Sequence, residues 1–208
     1  MNMFDIQNYY SFIGAILLFQ LIPGAGTIAI LNATARNGIK AGLGAVFGTL
    51  LGDFVFMIAA LAGLAAIMQQ NPLLFELLQY FGAAYLCWLG IGLLRTKITS
   101  DSNNQEPKKA ASLYLKQAFF VSITNPKVIL FFVAFFPLFL RPNASTTTLV
   151  AMIVHVTIIS LLYQTLLVFL GNSLALKLKA FPFARRIATR LAGIALIAFG
   201  IKLAINNR

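Results

Sequence analysis

Only 10% of these 208 residues are charged and 60% are hydrophobic, so the chain cannot clothe a globule in water, where about a quarter of residues are usually charged. The 16 Lys and Arg against 5 Asp and Glu leave a net charge of +11. In a soluble protein that excess would point to nucleic acid. With a mean hydropathy of +0.86 it points to the basic cytoplasmic loops of a membrane protein, and no nucleic-acid partner is expected.

The chain opens MNMFDIQNYY, without Lys or Arg ahead of the first apolar run; this makes a poor signal peptide and predicts a retained first helix. A bilayer core takes about 20 apolar residues per helix. That length predicts an all-α polytopic membrane protein with six transmembrane helices, over residues 9–33, 42–68, 75–94, 117–140, 149–174 and 187–205. Arg190 and Lys202 sit near the ends of the sixth span, where long side chains can snorkel to the headgroups. A five-span arrangement is the alternative.

Counting Arg190 in the first turn of span six, twelve of the 16 basic residues fall on the side that joins spans one and two, three and four, and five and six. The positive-inside rule then puts those loops in the cytoplasm and both termini outside. Dropping one helix would spoil this segregation, which favours six. The polar stretch 96–116 divides the chain into a first three-helix unit, residues 1–95, and a second, residues 117–208, with a flexible cytoplasmic linker between them. Three spans per half force the second half to enter from the opposite side, so the halves form a 3+3 inverted repeat.

Both halves interrupt their first span, at Ile22-Pro23-Gly24-Ala25-Gly26 in span one and at Asn125-Pro126-Lys127 in span four. Proline removes a backbone donor and clashes with the preceding turn. The freed backbone groups are costly in hydrocarbon unless protein, water or a ligand meets them. One such break is as readily a simple kink as a site. Two, one in each half, favour a site.

Asp53 is the only acidic residue deep in a span. An aspartate at a helix centre costs roughly 2.5–3.5 kcal/mol on insertion scales, so it must face a cavity or a partner. Loss of hydration disfavours a charged carboxylate, which suits reversible protonation. Lys127 is the only basic residue at comparable depth; it is either a partner for a substrate carboxylate or the counter-charge of Asp53. His155, the sole histidine, follows Pro126 by about the interval that separates Asp53 from Pro23, and is a second proton-coupling candidate, although a lone histidine in a membrane helix is more often a packing or hydrogen-bonding residue. Trp88 and Tyr85 in span three, and Tyr163 with Gln164 in span five, suit packing first; Tyr163 and Gln164 also add hydrogen-bonding groups and are cavity candidates. Gly44, Gly48 and Gly52 line one face of span two and predict close helix packing. Cys87 is alone, which excludes an intrachain disulfide and a CxxC redox pair.

The pentapeptide from Ile22 to Gly26, the pair Gly52-Asp53, the run Gly82-Ala83-Ala84-Tyr85-Leu86-Cys87-Trp88-Leu89-Gly90, Thr124-Asn125-Pro126-Lys127 and Phe135-Phe136-Pro137-Leu138-Phe139 together resemble the LysE/RhtB family of bacterial amino-acid exporters. The resemblance covers almost the whole chain, with alanine at Ala25 where the family's motif has a second proline. It implies a bacterial inner-membrane exporter driven by the proton-motive force, closer to the neutral amino-acid branch (homoserine and threonine, or leucine-like residues). The expected partners are a small amino acid, protons and the lipid bilayer; a homo-oligomer is left open. The expected substrate site takes Pro23, Gly24, Ala25, Gly26, Asp53, Asn125, Pro126, Lys127, Tyr163 and Gln164, with Asp53 and His155 coupling to protons. No catalytic residue, metal or cofactor is expected, because one histidine, one cysteine and no paired deep carboxylates suit neither a membrane-embedded enzyme nor a divalent-cation carrier. A passive channel is the remaining alternative.

Overall fold

The computed structural model describes residues 6–21, 24–95, 110–141, 144–180 and 182–206. Among them every regular element is helical: α1 (Tyr9–Leu21), α2 (Ala25–Gln70), α3 (Pro72–Arg95), α4 (Ala111–Ile123), α5 (Pro126–Phe135) followed by a 3-10 turn (Phe136–Phe139), α6 (Thr146–Ala180) and α7 (Pro182–Asn206). Residues 25–67, 73–92 and 146–170 are each long and apolar enough to cross a bilayer, and the bent pair α4–α5 makes a fourth crossing if taken as one span.

At 1.5 Å per residue, the 46 residues of α2 would reach about 69 Å, more than twice the hydrocarbon thickness. Gly38 interrupts it. Its φ of 77° and ψ of −170° lie where L side chains rarely go, and they divide α2 into residues 25–37 and 39–70. A single residue thus does the work of the eight-residue connection expected between spans one and two. At the far end of α2, Asn71 serves two helices. Its amide donates to Ile67 O at 2.8 Å and closes α2, while its Oδ1 accepts Leu74 N at 3.0 Å and caps α3, whose first residue is Pro72.

Helix α4 begins at Ala111, so residues 111–116, expected in the linker, are helical. The reason lies in what α4 packs against. A Cβ added to Gly44 would come 2.7 Å from Ala111 O, one on Gly48 would run into the backbone of Leu115, and one on Gly52 would meet Ser122 Cβ at 2.6 Å. The glycine stripe therefore lets the α4 backbone lie directly on α2, and that contact starts at Ala111. Helices α3 and α7 meet in the same way, at Gly90 against Gly193 O and at Gly200 against Ala83 O.

Two apolar clusters fill the interior. The larger gathers α1, the second segment of α2, α3, α5, the 3-10 turn, the first turns of α6, and α7 around Phe12, Phe131, Phe135, Phe136 and Phe139. Rings there sit 4.8 Å apart for Phe131 and Phe135, and 5.4 Å apart for Phe12 with each of Phe135 and Phe139. The smaller cluster joins both segments of α2 to α4 and α6 through Ile30, Ala33, Ala45, Val46, Tyr114, Ala118 and Val168. Large apolar side chains such as Leu51, Phe54 and Ile58 on α2, or Leu162, Leu166 and Phe169 on α6, face outward, as lipid contact requires.

Gly48→Val is expected to lower the thermal midpoint in detergent by about 2–12 °C, from an overpacking cost of about 1–3 kcal/mol. Gly63→Ala, whose new Cβ meets nothing within 4 Å, should leave it unchanged. Size-exclusion profiles after heating measure both.

Candidate substrate site

The axes of α4 and α5 diverge by 58° across Thr124-Asn125. Pro126 cannot continue α4, and Asn125 starts a new helix by accepting Lys127 N on its Oδ1 at 3.1 Å. That cap and the Val128 N to Asn125 O bond, at 3.1 Å, occupy the first amides of α5. The start of α2 is different. Gly24 caps it in extended conformation and, having no side chain, leaves the first-turn amides of Ala25, Gly26 and Thr27 without a cap of its own. A Cβ on Gly24 would lie 3.8 Å from Lys127 Nζ. The lysine ammonium therefore stands beside the positive end of α2, and the two favour an anion together.

One cavity joins these groups. Phe19, Gln20, Gly24, Gly26, Thr27, Thr49, Asp53, Ser122, Asn125, Lys127, Val128 and Gln164 line it, drawn from α1, α2, α4, α5, α6 and the α4–α5 break. It leaves about 50 Å³ for the centres of water-sized molecules. A water needs roughly 10–15 Å³ on that measure, so the space takes a few waters, and an amino acid enters only if lining side chains move.

Asp53 accepts a hydrogen bond from Ser122 Oγ at 2.5 Å. Lys127 Nζ lies 5.3 Å from the centre of the Phe19 ring, within cation–π range, and Tyr85 Oη donates to Lys127 O at 3.3 Å. Among the described residues Asp53 and Lys127 form no ion pair, although both face the same space. Gln20 Nε2 donates to Ser160 Oγ and ties α1 to α6 beside the cavity.

Of the residues expected at the site, Gly24, Gly26, Asp53, Asn125, Lys127 and Gln164 meet around this cavity. Ala25 is exposed and outside the lining, Pro23 lies outside the described residues, and Pro126 is placed by its backbone at the first position of α5. Tyr163 is half-buried next to Gln164, a helical step of about 100° away from the cavity face. His155 sits among the aromatic rings, its Nδ1 2.6 Å from Ala151 O and its ring 5.6 Å from Tyr9. The lining also holds Phe19, Gln20, Thr27, Thr49, Ser122 and Val128, which sequence reasoning missed. Thr49 had a signal in its four-residue spacing from Asp53, and Ser122 in its place one turn before the break.

The sequence model of the LysE type translocator family matches residues 17–207. This chain belongs to the LysE family. Leucine efflux proteins of Klebsiella pneumoniae and of an Enterobacter species are each 33% identical to this LysE-family chain over 204 residues, covering 97% of it and 96% and 97% of themselves. An uncharacterised membrane protein of Pseudomonas aeruginosa is 31% identical over 206 residues, covering 96% of this chain and 95% of itself. No solved structure matches this LysE-family member.

A double-mutant cycle of Ser122→Ala and Asp53→Ala, followed by thermal unfolding in detergent, should return a coupling of about 1.5–3 kcal/mol, the worth of a hydrogen bond to a charged group.

Proposed function

We propose that this chain exports a neutral amino acid from the cytoplasm in exchange for protons. The observation that carries the reading is the pair of opposite charges, Lys127 and Asp53, that line one cavity without neutralising each other. A zwitterion fits that arrangement. Its carboxylate meets Lys127 and the open amides of α2, its ammonium meets Asp53, and Phe19 and Val128 offer apolar contact to its side chain. The names of the leucine efflux relatives support a leucine-like substrate.

In this reading residues 9–37 form a broken first span and α4–α5 a broken fourth span, so that six spans make a 3+3 inverted repeat in the bacterial inner membrane. Both termini face the periplasm. The aromatic cluster around Phe12, Phe135 and Phe139 then lies on the periplasmic side of the cavity and holds that side shut. Rocking of the halves opens the sides in turn. A proton arriving from outside neutralises Asp53 and releases the ammonium outward. Return of the protonated carrier delivers that proton to the cytoplasm, and the freed carboxylate takes the next substrate. Proton and amino acid cannot occupy Asp53 together, which is the condition for antiport.

The test is counterflow of the twenty amino acids and homoserine in proteoliposomes with an imposed pH gradient. Uphill, pH-driven movement of leucine or another neutral amino acid is expected; movement only down its own gradient would make the protein a channel. Lys127→Gln should raise the half-saturating concentration about tenfold or more, since a charge-assisted bond contributes about 1.5–3 kcal/mol. Asp53→Asn should lose pH-driven accumulation, and a variant that kept it with unchanged pH dependence would take Asp53 out of the coupling.

A further inference from the structure

Two side-chain oxygens in the cavity wall have nothing to bind. Gln164 Oε1 on α6 and Thr49 Oγ1 on α2 are buried without a hydrogen-bond partner among the described residues, and each residue is only 5% exposed. Buried acceptors are seldom left in this state, and both belong to the lining rather than to a packed core. Thr49 stands one helical turn before Asp53 on the same face of α2. Ser122 binds Asp53 through Oδ1. The Asp53 carboxylate, Thr49 Oγ1 and Gln164 Oε1 thus bring acceptors from three side chains, on two helices, to one space.

A carboxylate finds no donor in the carboxylate of Asp53 or in the carbonyl oxygen of Gln164, so those atoms do not suit the acidic end of a substrate. A primary ammonium suits them well. It carries three N–H donors arranged around one nitrogen, as many as the side chains offering acceptors. We propose that Thr49 and Gln164 read the primary ammonium of the substrate beside Asp53. They make the site selective for primary α-amino acids over N-alkylated ones and over hydroxy acids that lack the amine. The inference rests on the amino-acid export reading above and adds to it a rule of substrate choice. The physical basis is asymmetric: a site built to bond a donor rejects the analogue that lacks it, because its own buried acceptors then stay unpaired.

The experiment is competition against labelled leucine counterflow, with leucine, N-methyl-leucine and 2-hydroxy-4-methylpentanoate as competitors. For the unaltered protein, leucine is expected to compete about tenfold or more better than either analogue. Thr49→Val and Gln164→Leu should bring the leucine to N-methyl-leucine ratio within about threefold, whereas Thr49→Ser, which keeps the hydroxyl, should preserve it. A ratio of affinities is insensitive to the amount of folded protein, so a merely structural role for either residue would not move it. Equal competition by N-methyl-leucine in the unaltered protein, an unchanged ratio in both Thr49→Val and Gln164→Leu, or a lost ratio in Thr49→Ser overturns the inference and leaves amino-acid export standing. If no amino acid supports counterflow at all, the export reading falls and this inference falls with it.

Discussion

Hydrocarbon solvates neither a free backbone amide nor an ionised side chain, so a membrane chain that keeps both within its helices must surround them with its own polar groups. In this structure the start of α2, the break before α5, Asp53 and Lys127 all turn toward one cavity. The rest of the architecture serves that convergence. The glycine stripe on α2 brings α4 close enough for Ser122 to reach the Asp53 carboxylate, and Tyr85 on α3 holds the carbonyl of Lys127. Large side chains at Gly48 or Gly52 would separate the helices that carry the acid and its partner.

The irregular positions were the most legible part of the sequence. Proline and glycine beside an apolar run have few explanations, and a lone aspartate in a span has fewer, so the neighbourhoods of Gly24, Asp53 and Asn125 stand out in the sequence. The glycine face of α2 was also readable, because a four-residue period survives in the bare sequence. Its partner was not. That Gly44, Gly48 and Gly52 receive α4 is a tertiary fact, and it moves the start of α4 back to Ala111.

Small hydroxyl residues were the least legible. A serine or threonine in an apolar helix commonly bonds to the carbonyl one turn back, as Thr34 does to Ile30 O and Thr124 to Phe120 O. Only position separates those residues from Ser122, one turn before the break, and Thr49, one turn before Asp53; which hydroxyl turns inward is a tertiary fact. Tyr163 and Gln164 show the same difficulty at one helical step. Both are polar and adjacent, and only the rotation of α6 against α2 decides that Gln164 lines the cavity. Gly38 was hidden for a different reason: a glycine in a polar connection says nothing about how short that connection is.

Phe19 belongs to two neighbourhoods at once. Its ring lines the cavity under Lys127 Nζ and also stacks on Phe131 at 3.5 Å, the first contact in a column that continues through Phe135 to Phe139. The far end of the column is tied to the N-terminal segment, where Gln7 N donates to Phe139 O at 2.9 Å. A side chain that displaces Phe19 to make room for itself must slide or unstack the Phe131 ring. Any displacement of Phe19 is therefore passed along the aromatic column toward Phe139 and the N-terminal segment bonded to it.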